Sequence, residues 1–372
     1  MKLKRRKLES VETLVITFQE MARFCLKLSE EHSTYFPIHG AQGYSQWQRL
    51  TREINCEDVA SQVFTVNSTR ALHPVKAFFA PIRRKVTTYK ITWNEASLEE
   101  ETSEELRVLF GVRACDLASL KILDSVFEGS PCDPPYSFIR DRTILVSADC
   151  VTPQECCFCL SVGGAPYAVK GFDLNITPIG AEFLVEVGSQ KGSDLARKFL
   201  ASFEKPSEVL VRAREEQRKS SSKSLAARGF FSPDADRKTA LEQGTGSSTW
   251  YGLVSKCVEC HACSHICPTC YCFLLNDEIT EESVQRLALW DSCLRTGFAR
   301  VAGGANPRKD TLTRLMHRYF HKFVYLPDRS SVEGCTGCGR CIEACPGGID
   351  VREVLGKLIN EAEKGEVANV SS

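Results

Sequence analysis

"CVECHACSHICP" (residues 257–268) decides how this chain is read, because its cysteines stand at C-x-x-C-x-x-C-x-x-x-C-P. The spacing returns in "CTGCGRCIEACP" (335–346), so Cys257, Cys260, Cys263 and Cys267 have counterparts in Cys335, Cys338, Cys341 and Cys345. Three thiolates at intervals of three wrap a loop around three corners of an iron–sulfur cubane, and the fourth is carried away on the helix that follows. In two-cluster ferredoxins that fourth cysteine ligates the other cluster, so a crossed arrangement is expected. Cys257, Cys260, Cys263 and Cys345 would hold one [4Fe–4S] cluster, and Cys335, Cys338, Cys341 and Cys267 the second. Zinc is the plainer alternative, since C-x-x-C pairs also build tetrahedral zinc sites. Two complete four-cysteine runs, closed by Pro268 and Pro346, speak for clusters.

Outward from these runs, the cysteine distribution divides the chain. Of 19 cysteines in 372 residues, 11 lie after residue 250. The basic start "MKLKRRKLES" is not followed by the apolar stretch of a secretory signal, because Glu12 and Gln19 interrupt it. A cytoplasmic location is expected, where thiols stay reduced and serve metal or redox chemistry rather than a disulfide framework. Lys plus Arg equals Asp plus Glu at 47 each, which removes the positive field that nucleic-acid binding needs. No stretch reaches the roughly 18 apolar residues of a membrane helix, so no membrane span is expected.

Periodicity places the motifs. Leu14, Phe18, Met21, Cys25 and Leu28 predict an amphipathic helix over about 10–29. "LRVLFGVR" (106–113) and "RTILVSADC" (142–150) read as strands, with "CDLASLKILDSVF" (115–127) a helix between them, which is the pattern of an α/β unit. Residues 205–248, with "REEQRKSSSKS" and "EQGTGSSTW", change to charge, serine and glycine and read as a linker. Beyond it, Thr280 can cap a helix carrying Val284, Leu287, Trp290, Leu294, Phe298 and Val301. A second helix presents Leu312, Leu315, Met316, Tyr319, Phe320 and Phe323, and a third starts near Asp350. The expected class is α+β, with an α/β-type domain over 1–204, a linker over 205–248 and an α-helical dicluster ferredoxin domain over 249–372.

The 67 residues between Cys267 and Cys335 are too many for the compact ferredoxin repeat. The two helices predicted to fill them resemble the α-helical ferredoxin fold found in the iron–sulfur subunits of succinate dehydrogenase and in those of heterodisulfide reductase. The wider order of "GVRACDLASLKILDSVF", "CVTPQECCFCLSVGGAPYAVKGFDL", "CPTCYCF", "WDSCLRTGFARVAGGANPR", "HKFVYLPD" and "CTGCGRCIEACPGGID" is similar to the dicluster iron–sulfur family of sulfhydrogenase beta subunits and the A subunits of anaerobic sulfite reductases. The chain departs from that family at Ala114, where proline is usual, and in the extra Cys156. The resemblance implies a cytoplasmic electron-transfer subunit that passes single electrons between a flavoprotein partner and a catalytic or second redox subunit, without substrate chemistry on this chain. The alternative is a stand-alone flavin-dependent iron–sulfur oxidoreductase.

The remaining cysteines leave two readings open. Cys115 and Cys150 follow strands, and Cys157 and Cys159 come just after, so the four could meet at one sheet edge and hold a third iron–sulfur cluster, or they could be buried structural thiols. Cys270, Cys272 and Cys293 are expected to pack or hydrogen-bond around the dicluster core. His261 and His265 flank the ligands and are expected to tune them rather than coordinate. No G-x-G-x-x-G, Walker, H-E-x-x-H or G-x-S-x-G pattern points to catalysis on this chain.

Overall fold

The computed structural model describes residues 12–39, 45–51, 70–90, 96–97, 106–199, 203–281 and 283–365. Its strands are β1 (Glu12–Thr17), β2 (Ser33–His39), β3 (Ser45–Arg49), β4 (Arg83–Lys90), β5 (Ala96–Ser97), β6 (Arg107–Val112), β7 (Thr143–Ala148), β8 (Leu174–Ile179), β9 (Glu182–Val187), β10 (Phe273–Ile279) and β11 (Ser283–Trp290). The helices of seven residues or more are α1 (Phe18–Glu31), α2 (Ala114–Phe127), α3 (Pro134–Asp141), α4 (Gln190–Lys198), α5 (Glu208–Ala226), α6 (Arg237–Gln243), α7 (Thr249–Lys256), α8 (Thr311–Phe320) and α9 (Val351–Glu363). Two compact units share the chain. The first is drawn from Met1–His73, Ser103–Ala118 and Phe138–Arg228, the second from Pro74–Thr102, Ser119–Ser137 and Gly229–Ser372. The basic leader and Cys56 lie outside the described residues.

In the first unit a seven-stranded sheet runs in the order β1-β9-β8-β7-β6-β2-β3. Its centre is parallel, from β2 through β6 and β7 to β8, and its margins are antiparallel. All six residues of β7, "TILVSA", are buried, as befits a central strand covered on both faces. Helix α1 packs Met21, Phe24, Cys25 and Leu28 into the core with Phe110, Val146 and Phe183, and each such side chain contributes about 1.5–3 kcal/mol by leaving water. The helix expected from residue 10 starts only at Phe18, where Thr17 caps it by accepting from the Glu20 N–H. The preceding "ETLVIT" is β-branched and pairs with β9 from Glu12↔Val187 to Thr17↔Glu182, and this ladder overrides the helical spacing of Leu14 and Phe18.

The stretch expected as a linker contains the 19-residue helix α5. Its charge is used inside the unit: Arg218 donates from Nε to Asp149 Oδ2 at 2.7 Å and also pairs with Glu186. Burial by ion pairs leaves no apolar stripe to read.

In the second unit a four-stranded antiparallel sheet runs β10-β11-β4-β5. It corrects the helix expected after Thr280, so the C-terminal part is not all-helical. The Thr280 Oγ1 accepts from the Ser283 N–H at 3.1 Å and closes a hairpin instead of a helix end. Val284, Leu287 and Trp290 lie on β11, where a bulge between Arg286 and Leu287 shifts the register against β4 and breaks strict alternation. Arg286 and Asp277 pair across the hairpin. The helices that follow agree with the sequence: Asp310 caps α8 and Asp350 caps α9, accepting from Thr313 and Arg352 respectively. Beyond Phe320 a π-helical segment (His321–Tyr325) carries α8 onward to Ser330.

Candidate metal centres

Both cysteine runs fold the same way. The third cysteine of each, Cys263 and Cys341, lies in a short helical turn, Ala262–His265 and Arg340–Glu343. Each loop before it turns through two left-handed residues at matching places: Glu259 (φ 52°) and His261 (62°) in the first, Gly337 (63°) and Gly339 (74°) in the second. Left-handed residues within a loop aim successive N–H groups toward its concave side, a favourable setting for anionic sulfur. The Gly337 N–H reaches Cys335 Sγ at 3.4 Å, and the Ile349 N–H reaches Cys345 Sγ at 3.4 Å. Glycine adopts such a φ freely; Glu259 needs support. Its carboxylate accepts from Arg314 Nη2 at 3.0 Å and from the Thr311 hydroxyl.

Cys257, Cys260, Cys263 and Cys345 line one cavity, beside Arg318 and Tyr319. Cys341 also reaches it. Around Cys341 lie Cys267, Cys335 and Cys338: burial pushes the Cys341 thiol up to about 12, Arg318 opposes this, and the three neighbours add to it. Burial likewise lifts Cys335 to about 11, against the pull of Lys322. Such thiols hold their protons in the interior until a metal displaces them.

The cations beside these thiols were not foreseen. Lys322 donates to Cys267 Sγ at 3.3 Å, to Thr269 Oγ1 at 2.6 Å and to the Gly334 carbonyl at 3.1 Å, while only 4% exposed. Arg318, 5% exposed, donates to the Cys263 carbonyl at 3.2 Å. Burial works against the charge of Arg318, yet the surrounding cysteines hold its pKa above the ordinary value. The available signal was positional: Arg318 and Lys322 share a helical face with Leu315, Tyr319 and Phe323, and a basic residue on an apolar face asks for an anion. Lys76 is a third buried cation, 4.0 Å from the Trp290 ring and 3.0 Å from the Cys270 carbonyl.

Cys270 hydrogen-bonds through its thiol to Cys267, whose own pKa is thereby held well below the usual value. Cys293 does the same for Cys272. His261 borders the first cavity, its Nδ1 buried without a hydrogen-bond partner, and burial lowers its pKa and that of His265. In the first unit, Cys150, Cys157 and Cys159 come together. Burial lifts Cys159 to about 12 and Cys150 to about 11, and each feels Cys157. Cys157 is drawn down to about 6 by a hydrogen bond from Cys156 and by Arg70. Cys115 sits in the first turn of α2. Among the described residues no three cysteine, histidine or acidic side chains are gathered closely enough to hold a single metal ion, and no helix is long and apolar enough to cross a membrane.

Residues 256–349 match the 4Fe-4S dicluster domain family. Over 343 residues, 88% of this chain and 97% of the relative, the sequence is 33% identical to sulfhydrogenase 2 subunit beta of Pyrococcus furiosus. The donor chemistry agrees with the family: eight cysteines in two loops, with N–H groups and buried cations turned toward sulfur. This chain carries two [4Fe–4S] clusters.

Proposed function

The chain belongs to the family of the sulfhydrogenase beta subunits, and from that premise we propose that it is the electron-transfer subunit of a cytoplasmic hydrogenase-type complex. It relays single electrons between a flavin-containing partner and a catalytic or second redox subunit. Cys257, Cys260, Cys263 and Cys345 bind one cluster, and Cys335, Cys338, Cys341 and Cys267 the other.

The observation that carries this reading is the presence of Cys345, from the second run, in the cavity of the first three cysteines of the first run. Crossed ligation of that kind binds two clusters into one short relay. Exposure orders them. Cys260 is exposed, beside Val258 at 64%, whereas Cys267 and Cys338 are buried. The first site is therefore the one that meets a partner at the surface. Edge strand β10 also exposes Phe273, Leu274, Leu275 and Ile279, an apolar strip suited to cover by another subunit.

Purified without oxygen from its own cell, the tagged chain is expected to bring down a flavoprotein and a catalytic redox subunit. On its own, with both clusters in place, it should accept electrons and turn over no substrate. Flavin retained by the isolated chain, seen in its absorbance, would favour the stand-alone oxidoreductase instead.

A further inference from the structure

The first unit holds a gathering of thiols that the two-cluster relay does not use. Strands β6 and β7 are parallel neighbours, so their C-terminal ends open on one edge of the sheet, the place where α/β folds bind ligands. Cys115 follows β6, and Cys150 lies two residues beyond β7. Arg113, 1% exposed, ties these ends together, donating from Nη1 to the carbonyls of Ala148 at 3.3 Å and Asp149 at 2.7 Å. The loop after β7 then folds back. The Cys150 N–H donates to the Pro166 carbonyl at 2.7 Å, and the Cys157 N–H to that of Gln154 at 2.9 Å. Cys159, 8% exposed, lies in the same buried loop and feels the charges of both Cys150 and Cys157.

We infer that Cys150, Cys157 and Cys159, with Cys115 as the fourth ligand, hold a third iron–sulfur cluster. The setting resembles that of the dicluster cysteines. Arg70, 6% exposed, donates to Cys156 Sγ at 3.4 Å and hydrogen-bonds the Cys157 side chain, and the charge of Arg113 acts on Cys150. Buried Arg70 and Arg113 place positive charge beside this loop, which offsets the cost of bringing an anionic, thiolate-ligated cluster into the interior. Thiols serving only as small apolar packing gain nothing from such neighbours. A soft all-sulfur donor set selects iron–sulfur clusters or zinc, and the experiment separates the two.

The full chain, purified without oxygen from cells supplied with iron, is assayed for iron, acid-labile sulfide and zinc. About twelve irons and about twelve sulfides per chain are expected at full loading, three cubanes of four each. The double variant Cys157→Ser/Cys159→Ser should lose about four of each and keep the paramagnetic signals of the dicluster sites. About eight irons in the wild type overturns the proposal, as does zinc that disappears in the double variant. If the variant cannot be purified, the wild-type count still decides. The inference goes beyond the two-cluster relay and does not rest on it. Were the eight motif cysteines empty, the wild type would hold about four irons, all lost on Cys157→Ser/Cys159→Ser.

Discussion

The two cysteine runs share one spacing and one backbone path, yet they reach it by different means. In "CTGCGRC" the left-handed positions are glycines, Gly337 and Gly339, and the turn is intrinsic to the chain. In "CVECHAC" they are Glu259 and His261, and the conformation is held from outside, by Arg314 and Thr311 on Glu259. The first run also exposes a cysteine, Cys260, while the second buries Cys338. One loop is thus tuned for contact with the surface and the other for the interior.

The comparison breaks most visibly at the fourth cysteine of each run, which we propose ligates the cluster of the other run. Cys345→Ser is expected to remove the cluster of the first run, and Cys267→Ser that of the second, each costing about four irons per chain. Iron analysis with electron paramagnetic resonance checks it; loss of the cluster in the variant's own run would refute the crossing. Next in size is an electrostatic asymmetry. Lys322 touches Cys267, so Lys322→Met should lower the reduction potential of the second cluster more than that of the first. The cation favours the reduced, more negative state, and each tenfold change in that equilibrium is worth about 59 mV in a potentiometric titration.

Smaller effects separate the loops themselves. Gly337→Ala forces a side chain into the left-handed region at a cost of about 1–2 kcal/mol. Glu259→Gly relieves the same strain while losing its partners, so denaturant unfolding should show a much smaller net change. The smallest effect concerns α8, which carries the buried cations. Asp310→Ala removes its cap and should cost about 1 kcal/mol. The Thr313 N–H and hydroxyl hold the Asp310 carboxyl below its ordinary pKa. The cap's contribution is therefore complete above the pKa of an unfolded aspartate and is lost as pH falls through the lower folded value. Unfolding curves of the two proteins should converge in strong acid.

Much of the fold was legible where local signals agreed with burial. The apolar runs of β6 and β7, the period of α2, the apolar face of α8 and the helix start near Asp350 all stand where sequence placed them. The failures share a cause, which is tertiary pairing that competes with local pattern. "ETLVIT" is claimed by β9, Val284 to Trp290 by β4 and β10, and the charged face of α5 by Asp149 and Glu186. Buried Arg318, Lys322 and Arg70 were missed because charged residues are ordinarily read as solvated.

The sequence by itself determined the chemistry: eight cysteines at two identical spacings are a covalent pattern that local geometry turns into two cluster loops. Tertiary structure alone decided where Arg318, Lys322 and Arg70 enter the interior and which strands claim the segments that local pattern assigned to helices. These depend on contacts between residues distant along the chain, and no local periodicity encodes them.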